Sequence, residues 1–311
     1  MCCGDAATMK GRQRITVKKG MFLGILLILF LQSAVWAADP AVETERVKVP
    51  LDVAGKSYLL DGMIYKPTGD GPFPAMIMTH GTSRLVADRA KVTADAYYVR
   101  QAGMFAKMGI AVLFVARRGF GISDGPYAEG YQYHANGTRD YAKTGLAAAQ
   151  DLQAAVQYMQ GKPFVDGKHI VLLGQSTGGH SVIATGSLNL PGVVGVVNFA
   201  GGRGSTAPDV VRDADSLVES YRVFWKTFKV PTIWLYSEND HYFGPALARK
   251  FLTAFQEGGA EVDFVSLPPS GEDGHSSFLR AKDNWYESVL EFLKRIGIVT
   301  EPAQAFIPNV A

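Results

Sequence analysis

The sequence predicts an α/β fold in which helices cover both faces of a mostly parallel β-sheet. From residue 75 onward, short apolar runs typical of buried strands alternate with segments that have helical spacing. The 311 residues, 47% of them hydrophobic and 19% charged, contain no internal repeat, low-complexity tract or long linker. We therefore expect one domain over residues 38–311, with its core at about 47–296.

The first 37 residues have the features of a secretory signal peptide. Basic residues precede an apolar run over 21–31, and small residues then lead to a cleavage site after Ala37. We expect cleavage there and export to the periplasm or the medium. The alternative is an uncleaved membrane anchor, because an extended stretch over 20–38 approaches the span of about 20 residues that a bilayer requires. The long basic region also leaves Met9 open as the start.

Removal of this segment changes the charge and cysteine content. It holds five of the 31 Lys and Arg and one of the 29 Asp and Glu, so the formal net charge falls from +2 to −2. Both cysteines, Cys2 and Cys3, also lie in it, which leaves no disulfide and no thiolate nucleophile. We expect no nucleic-acid partner, no cofactor and no metal, and membrane contact only through an uncleaved N-terminal segment. The oligomeric state stays open.

The predicted elements follow one another along the chain without a long interruption. Two strands over 47–65, joined by a turn at 54–56, form an antiparallel opening pair. Buried strands are predicted at 75–78, 110–115, 170–173, 193–199, 230–236 and 262–267. Helices are predicted at 95–108, 138–159, directly after residue 176, and at 209–228, 245–255 and 284–295.

The segment Gly174-Gln-Ser176-Thr-Gly178 lies between a predicted strand and a predicted helix. In that context Gly-x-Ser-x-Gly is typical of a sharp turn that presents a nucleophilic serine, because glycines two residues away leave room for a strained backbone. The helix N-terminus would also direct free N–H groups at a developing oxyanion. We therefore predict Ser176 as the nucleophile; the alternative is a glycine-rich turn with an incidental serine.

A serine hydroxyl needs a histidine to take its proton and a carboxylate to orient that histidine. His275 is the predicted base, because it lies in a Gly-rich loop after the last strand, at the same edge of the sheet as Ser176. Asp240 is the predicted acid, and Glu238 in the same loop is the alternative. We expect packing, surface or loop-bracing roles for the other histidines: His80, His134, His169, His180 and His241.

An oxyanion hole needs two N–H donors near the nucleophile. The N–H of Thr177 directly follows Ser176, and Thr82 lies in the loop after the first parallel strand, so these two are the predicted donors and substrate-binding residues. A plain glycine turn is the alternative interpretation of the second loop. The order Ser176, Asp240, His275 along the chain also matches the order expected when a nucleophile turn precedes the acid and base loops.

These residues resemble the α/β-hydrolase superfamily, near its dienelactone-hydrolase-like and prolyl-oligopeptidase or Xaa-Pro-dipeptidase-like branches. The resemblance extends over about 47–296 and depends on five motifs: His80-Gly81, Arg118-Gly-Phe-Gly-Ile-Ser123, Gly174-Gln-Ser-Thr-Gly178, Ser237-x-x-Asp240 and Gly274-His275. It implies an eight-stranded sheet, a small cap or none, and cofactor-free hydrolysis through an acyl-serine. Dienelactone hydrolase itself uses cysteine, so Ser176 is a departure that puts lactone specificity in doubt.

We therefore predict an exported serine hydrolase, similar to carboxylesterases, that acts on a small-molecule ester, lactone or thioester. An Xaa-Pro-type peptidase and a non-catalytic binding protein of the same fold are the alternatives. The Arg117–Gly125 turn is expected to be structural, with its arginines paired to carboxylates, although substrate contact stays open. Aromatic residues that would line an apolar pocket, or else belong to the core or surface, are Tyr127, Tyr131, Tyr133, Tyr221, Phe224, Trp225, Tyr242 and Phe243.

Overall fold

A central eight-stranded sheet organises the computed structural model, which describes residues 41–127, 129–130 and 132–299. The predicted signal peptide and Tyr131 lie outside the described residues. The strands are β1 (Val42–Val53), β2 (Lys56–Pro67), β3 (Phe73–Thr79), β4 (Ala111–Val115), β5 (Val165–Gln175), β6 (Val193–Phe199), β7 (Ser205–Ala207), β8 (Val210–Val211), β9 (Thr232–Ser237) and β10 (Val262–Leu267).

The sheet runs β1-β2-β4-β3-β5-β6-β9-β10. β2 pairs antiparallel with β1 and β4, and every later pairing within the sheet is parallel. Because the carboxyl ends of parallel strands share one edge, the segments after β3, β5, β9 and β10 meet there. The predicted α/β class, the strand number and the mostly parallel sheet are confirmed.

Helices pack on both faces of this sheet. They are α1 (Val99–Lys107), α2 (Tyr141–Gln160), α3 (Thr177–Gly186), α4 (Ala214–Trp225), α5 (Pro245–Gln256), α6 (Ser277–Arg280) and α7 (Lys282–Arg295). Neighbouring residues of a strand point to opposite faces, so Leu172 belongs to the core that α2 to α5 cover. Val171 belongs to the core beneath α1 and α7. None of the helices among the described residues combines the length and apolar character that a membrane span requires.

Two local predictions were wrong. α1 begins at Val99 rather than near residue 95, because Tyr98 adopts a left-handed φ of 55° that interrupts helical geometry before it. The segment predicted as helix from residue 209 instead begins with a two-stranded ribbon, β7–β8, and α4 starts only at Ala214. Asp209 and Asp213 have φ values of 59° and 52°, and the helix cannot extend back through them.

Candidate active site

Ser176 lies in the turn between β5 and α3, with φ 59° and ψ −123°. This strained conformation places its side chain at the carboxyl edge of the sheet. The flanking glycines are needed for close approach of the backbone. A β-carbon on Gly174 would lie 2.2 Å from the Gly178 carbonyl oxygen, and one on Gly178 would lie 2.5 Å from the His80 carbonyl oxygen. The turn therefore has the geometry that the Gly-x-Ser-x-Gly segment predicted.

His275 lies within hydrogen-bonding distance of both Ser176 and Asp240. Its Nε2 is 2.9 Å from Ser176 Oγ, and its Nδ1 is 3.0 Å from Asp240 Oδ2 and 3.2 Å from Oδ1. All three residues are buried. With the Nδ1 proton donated to the carboxylate, Nε2 is free to accept the serine proton. Three loops that are distant along the chain thus place a carboxylate, an imidazole and a hydroxyl in one hydrogen-bonded row, in the order that nucleophilic catalysis requires.

Asp240 is held as a carboxylate by several donors. Its Oδ1 accepts the backbone N–H groups of Tyr242, at 2.7 Å, and Phe243, at 2.9 Å. Burial alone would raise its pKa, but the charge and hydrogen bond of His275, together with the two N–H groups, lower it below the usual range. Glu238, the alternative acid, is exposed, and its neighbour Ser237 is buried. The structure therefore favours Asp240 as the partner of His275.

Two other histidines are buried and neutral. His80 donates from Nδ1 to the Gly81 carbonyl oxygen at 2.8 Å and accepts the Arg117 backbone N–H at Nε2, at 3.1 Å. Burial, and next the charge of Arg117, lower its pKa well below the ordinary value. Burial and the charge of Arg203 do the same to the pKa of His180. His80 therefore braces the loop after β3, as predicted.

The remaining histidines pair with carboxylates other than Asp240. The three pairs, in all of which the histidine is at least partly exposed, are His134–Asp140, His169–Asp166 and His241–Asp209. In none of these pairs is the histidine in contact with Ser176 among the described hydrogen bonds. His275 is thus the base that the geometry supports.

The two predicted oxyanion segments touch each other. Thr82 Oγ1 and Thr177 Oγ1 are 2.8 Å apart, which brings the loop after β3 against the first residue of α3. Gly81 makes the approach possible, since a β-carbon there would lie 2.9 Å from the β-carbon of Ser176. The N–H groups of Thr82 and Thr177 therefore belong to segments that meet beside Ser176.

A hydrogen-bonded chain that the sequence did not predict links the base loop to the oxyanion loop. Gln175 Nε2 donates to the His275 carbonyl oxygen at 2.9 Å, and its Oε1 accepts the Tyr98 hydroxyl at 2.8 Å. The same hydroxyl accepts the Gly81 N–H at 3.3 Å. Tyr98 thus joins Gly81, Gln175 and His275 into one buried network.

A stack of three side chains, also missed from the sequence, includes the His275 imidazole. The Tyr242 ring lies parallel to the His275 imidazole, with centroids 3.9 Å apart and planes 11° apart. On the opposite face of the Tyr242 ring, the Arg84 guanidinium carbon is 3.5 Å from the centroid of that ring. Arg84 Nη2 also donates to the His241 carbonyl oxygen at 3.0 Å and to the Ala207 carbonyl oxygen at 3.1 Å. The β7–β8 ribbon is therefore fastened to both the oxyanion loop and the acid loop.

Comparison with known proteins decides the family. The model of the dienelactone hydrolase family matches residues 60–296, which is more than half of the chain. The chain belongs to the dienelactone hydrolase family. This confirms the resemblance recognised from the motifs, and membership identifies the chain as a hydrolase. A search of the curated proteins found no significant match.

Solved structures agree with this fold. An acylaminoacyl peptidase of Pyrococcus horikoshii has a TM-score of 0.60 at 20% identity, over 82% of this chain and 42% of the peptidase. An esterase of Pyrococcus furiosus has a TM-score of 0.56 at 18% identity, over 82% and 94%. A thermophilic esterase of Thermogutta terrifontis, with propionate bound, has a TM-score of 0.54 at 16% identity, over 85% and 97%. The chain thus spans about two fifths of the peptidase, and at these identities the similarity shows the fold alone.

Two of the aromatic residues considered for a substrate pocket in this dienelactone hydrolase family member belong to the core instead. Tyr221 and Phe224 are buried in the core, where their rings pack edge-on against His180. Of the two roles left open for these two residues, the structure supports the core. Tyr242 and Phe243 do contact His275, the latter with ring centroids 5.5 Å apart. The other three described candidates, none of which has a described ring contact with His275, are Tyr127, Tyr133 and Trp225.

The Arg117–Gly125 turn pairs its arginines with buried carboxylates, as predicted. Arg117 forms an ion pair with Glu129, and Arg118 Nε lies 2.7 Å from Asp151 Oδ1. Burial raises the pKa of Asp151 to about 6 despite the nearby charge of Arg118. Among residues 41–127, 129–130 and 132–299, no group of three or more His, Cys, Asp or Glu is arranged to hold a metal ion.

Proposed function

We propose that the chain is a serine esterase that hydrolyses a carboxylic ester of small to medium size through an acyl-serine intermediate. The observation that carries this proposal is the continuous hydrogen-bonded sequence from Asp240 through His275 to a serine in a strained turn. Family membership supports hydrolysis, and Ser176 provides an oxygen nucleophile at the expected position.

The proposed reaction has two halves. His275 Nε2 takes the Ser176 Oγ proton while Oγ attacks the ester carbonyl carbon, and the N–H groups of Thr82 and Thr177 stabilise the oxyanion. The bond to the alkoxy oxygen then breaks, and His275 returns the proton to the leaving alcohol. Water next attacks the acyl-serine, His275 takes its proton, and the acid departs as the proton returns to Ser176. Asp240 keeps the Nδ1 proton in place and stabilises the imidazolium in both halves.

Replacing the nucleophile tests this proposal. Ser176→Ala should lower kcat/KM for 4-nitrophenyl acetate and butyrate by at least about 10⁴-fold, because the covalent route is lost. Ser187→Ala is the matched control: this buried hydroxyl at the end of α3 donates to the Ala184 carbonyl oxygen and does not contact the base. We expect near-normal activity from the control. Retention of most activity by Ser176→Ala would refute the assignment.

A substrate panel distinguishes the esterase from the two alternatives, an Xaa-Pro-type peptidase and a non-catalytic binding protein. A panel of esters, lactones, thioesters and proline-containing peptides, compared by kcat/KM, should place the highest value among the esters. A higher value for a peptide with a free N-terminus would favour the peptidase. A non-catalytic binding protein would turn over no member of the panel.

We further propose that the protein is exported after cleavage behind Ala37. The basic region, short apolar run and small-residue site of the sequence support this. N-terminal sequencing of the protein purified from the native host should begin at Ala38. A mature chain that retains residues 1–37 in the membrane fraction would instead favour the anchor.

A further inference from the structure

Three buried charged residues form a cluster behind the first residue of α3. The exposed fractions are 0% for Arg117, 2% for Glu129 and 3% for Arg203. Arg117 Nε donates to one oxygen of the Glu129 carboxylate, and Arg203 Nη1 donates to the other at 2.5 Å. Burial alone would raise the pKa of Glu129, but the two guanidinium groups outweigh it and hold that pKa well below its usual range. The cluster therefore carries two positive charges and one negative charge.

Arg117 holds both segments of the predicted oxyanion hole. Its Nη1 donates to Thr79 Oγ1 and to the His80 carbonyl oxygen, both at 2.7 Å, at the start of the loop that carries Thr82. Its Nη2 donates to Thr177 Oγ1 at 3.1 Å. Because the Thr177 hydroxyl also bonds that of Thr82, one guanidinium fixes the spacing between the two predicted donors.

Arg203 contacts the first turn of α3 directly. Its Nη2 donates to the Thr177 carbonyl oxygen at 3.2 Å and to Ser181 Oγ at 2.6 Å. Its Nε donates to His180 Nδ1 at 2.9 Å. These contacts keep the first turn of α3 in place, and with it the peptide that follows the nucleophile.

From these contacts we propose that Arg117 and Arg203, joined by Glu129, are positioning residues of the oxyanion hole and place their surplus positive charge behind it. The inference rests on the proposed esterase function. Fixed donors and a nearby cation stabilise a developing oxyanion most strongly in a site that excludes water, because the protein does not have to reorganise during the reaction.

Stability alone does not account for the cluster. Burial of three charges costs desolvation energy that well-packed apolar side chains would not incur. The neighbouring pair Arg118–Asp151 provides the comparison within the same turn. Arg118 is also buried, with an exposed fraction of 5%, and has a carboxylate partner, but its described side-chain hydrogen bonds go to α2, at Ala147 and Gln150, and not to an oxyanion segment.

Paired substitutions separate a role in positioning the oxyanion hole from a role in stability alone. Arg117→Met should lower kcat/KM for 4-nitrophenyl acetate by about 10²-fold, mostly through kcat, since the loss of one oxyanion contact costs about that much. Affinity for an alkyl boronic acid, which forms a tetrahedral anion on the serine, should fall in proportion, whereas a neutral ground-state ligand such as acetamide should bind nearly unchanged. Arg117→Lys, which keeps the charge, should recover part of the loss. Arg118→Met should lower the melting temperature but leave kcat/KM and boronate affinity within about threefold of wild type.

Thr177→Val tests the positioning role if Arg117→Met does not fold. This substitution keeps the backbone N–H and the buried charges but removes the hydroxyl that Arg117 holds. We expect about a tenfold loss of kcat/KM and of boronate affinity in a variant whose circular dichroism spectrum matches that of the wild type. The inference would be overturned by wild-type kcat/KM and boronate affinity in Thr177→Val. It would also be overturned if folded Arg117→Met had the same kinetics as Arg118→Met. Failure of the esterase proposal would look different: the wild-type protein itself would lack ester turnover, or Ser176→Ala would retain it.

Discussion

Replacement of Asp240 by asparagine tests how the proposed base is oriented. The backbone N–H groups of Tyr242 and Phe243 both donate to Asp240 Oδ1, so this position must keep an oxygen. The asparagine amide oxygen must therefore take the place of Oδ1, and its NH₂ group must face His275 Nδ1 where Oδ2 now lies at 3.0 Å. An NH₂ donor forces Nδ1 to accept, which moves the imidazole proton to Nε2 and points an N–H at Ser176 Oγ.

The expected cost follows from this reversed tautomer. Nε2 can no longer accept the serine proton, and the imidazolium loses its carboxylate, so kcat should fall by about 10⁴-fold, or about 5 kcal/mol in activation free energy. The assay is the initial rate with 4-nitrophenyl acetate across a range of substrate concentrations, with crystallography or circular dichroism to show that the fold persists.

Asp273→Asn is the matched control for this prediction. Asp273 Oδ1 accepts the backbone N–H groups of His275 and His241, at 2.9 and 3.1 Å, and an asparagine oxygen can accept the same bonds. We expect activity within about threefold of wild type. A folded Asp240→Asn variant with kcat within tenfold of wild type would refute the orienting role, as would equal losses in both variants.

Three further predictions concern the surroundings of the site. Tyr98→Phe removes the hydroxyl between Gly81 and Gln175 and should lower kcat/KM about tenfold, since two buried polar groups lose a partner; unchanged kinetics would contradict this. Gly81→Ala places a β-carbon 2.9 Å from that of Ser176, so a loss of kcat/KM of more than tenfold is expected, and full activity would show that the loop can move. The Asp209 hydrogen bond and charge raise the pKa of His241 above 6.5, so their stabilisation is fully present below about pH 6.5 and is lost as the pH rises through the raised value. The melting-temperature difference between wild type and Asp209→Asn should thus be larger at about pH 5.5 than at about pH 9, and equal differences would refute the pairing.

The sequence predicted the parts of the site that depend on local geometry. Ser176 and its glycines occupy a turn whose shape is set by its own few residues, and the ends of parallel strands bring Asp240 and His275 to the same edge. Alternation of apolar runs with helical segments was enough for the layered architecture. The family resemblance supplied the eight-stranded sheet, which periodicity alone could not count.

Contacts between distant segments could not be predicted in this way. Tyr98 and Gln175 are 77 positions apart, and no pattern near either residue indicates that they share a hydrogen bond. The stack of Arg84 on Tyr242 likewise depends on the path of two loops across the sheet edge. The β7–β8 ribbon has too few paired residues for an alternating pattern, and its Pro208-Asp209 turn was the signal that could have separated it from α4.

The central claim is that Ser176 is an activated nucleophile, and covalent labelling measures this most directly. A fluorophosphonate probe should react with the wild-type protein to one adduct per chain, which peptide mass spectrometry should locate on Ser176. Ser176→Ala should not react, and Asp240→Asn should react far more slowly. Absence of an adduct on the folded wild-type protein, or an adduct on another residue that persists in Ser176→Ala, would contradict the account.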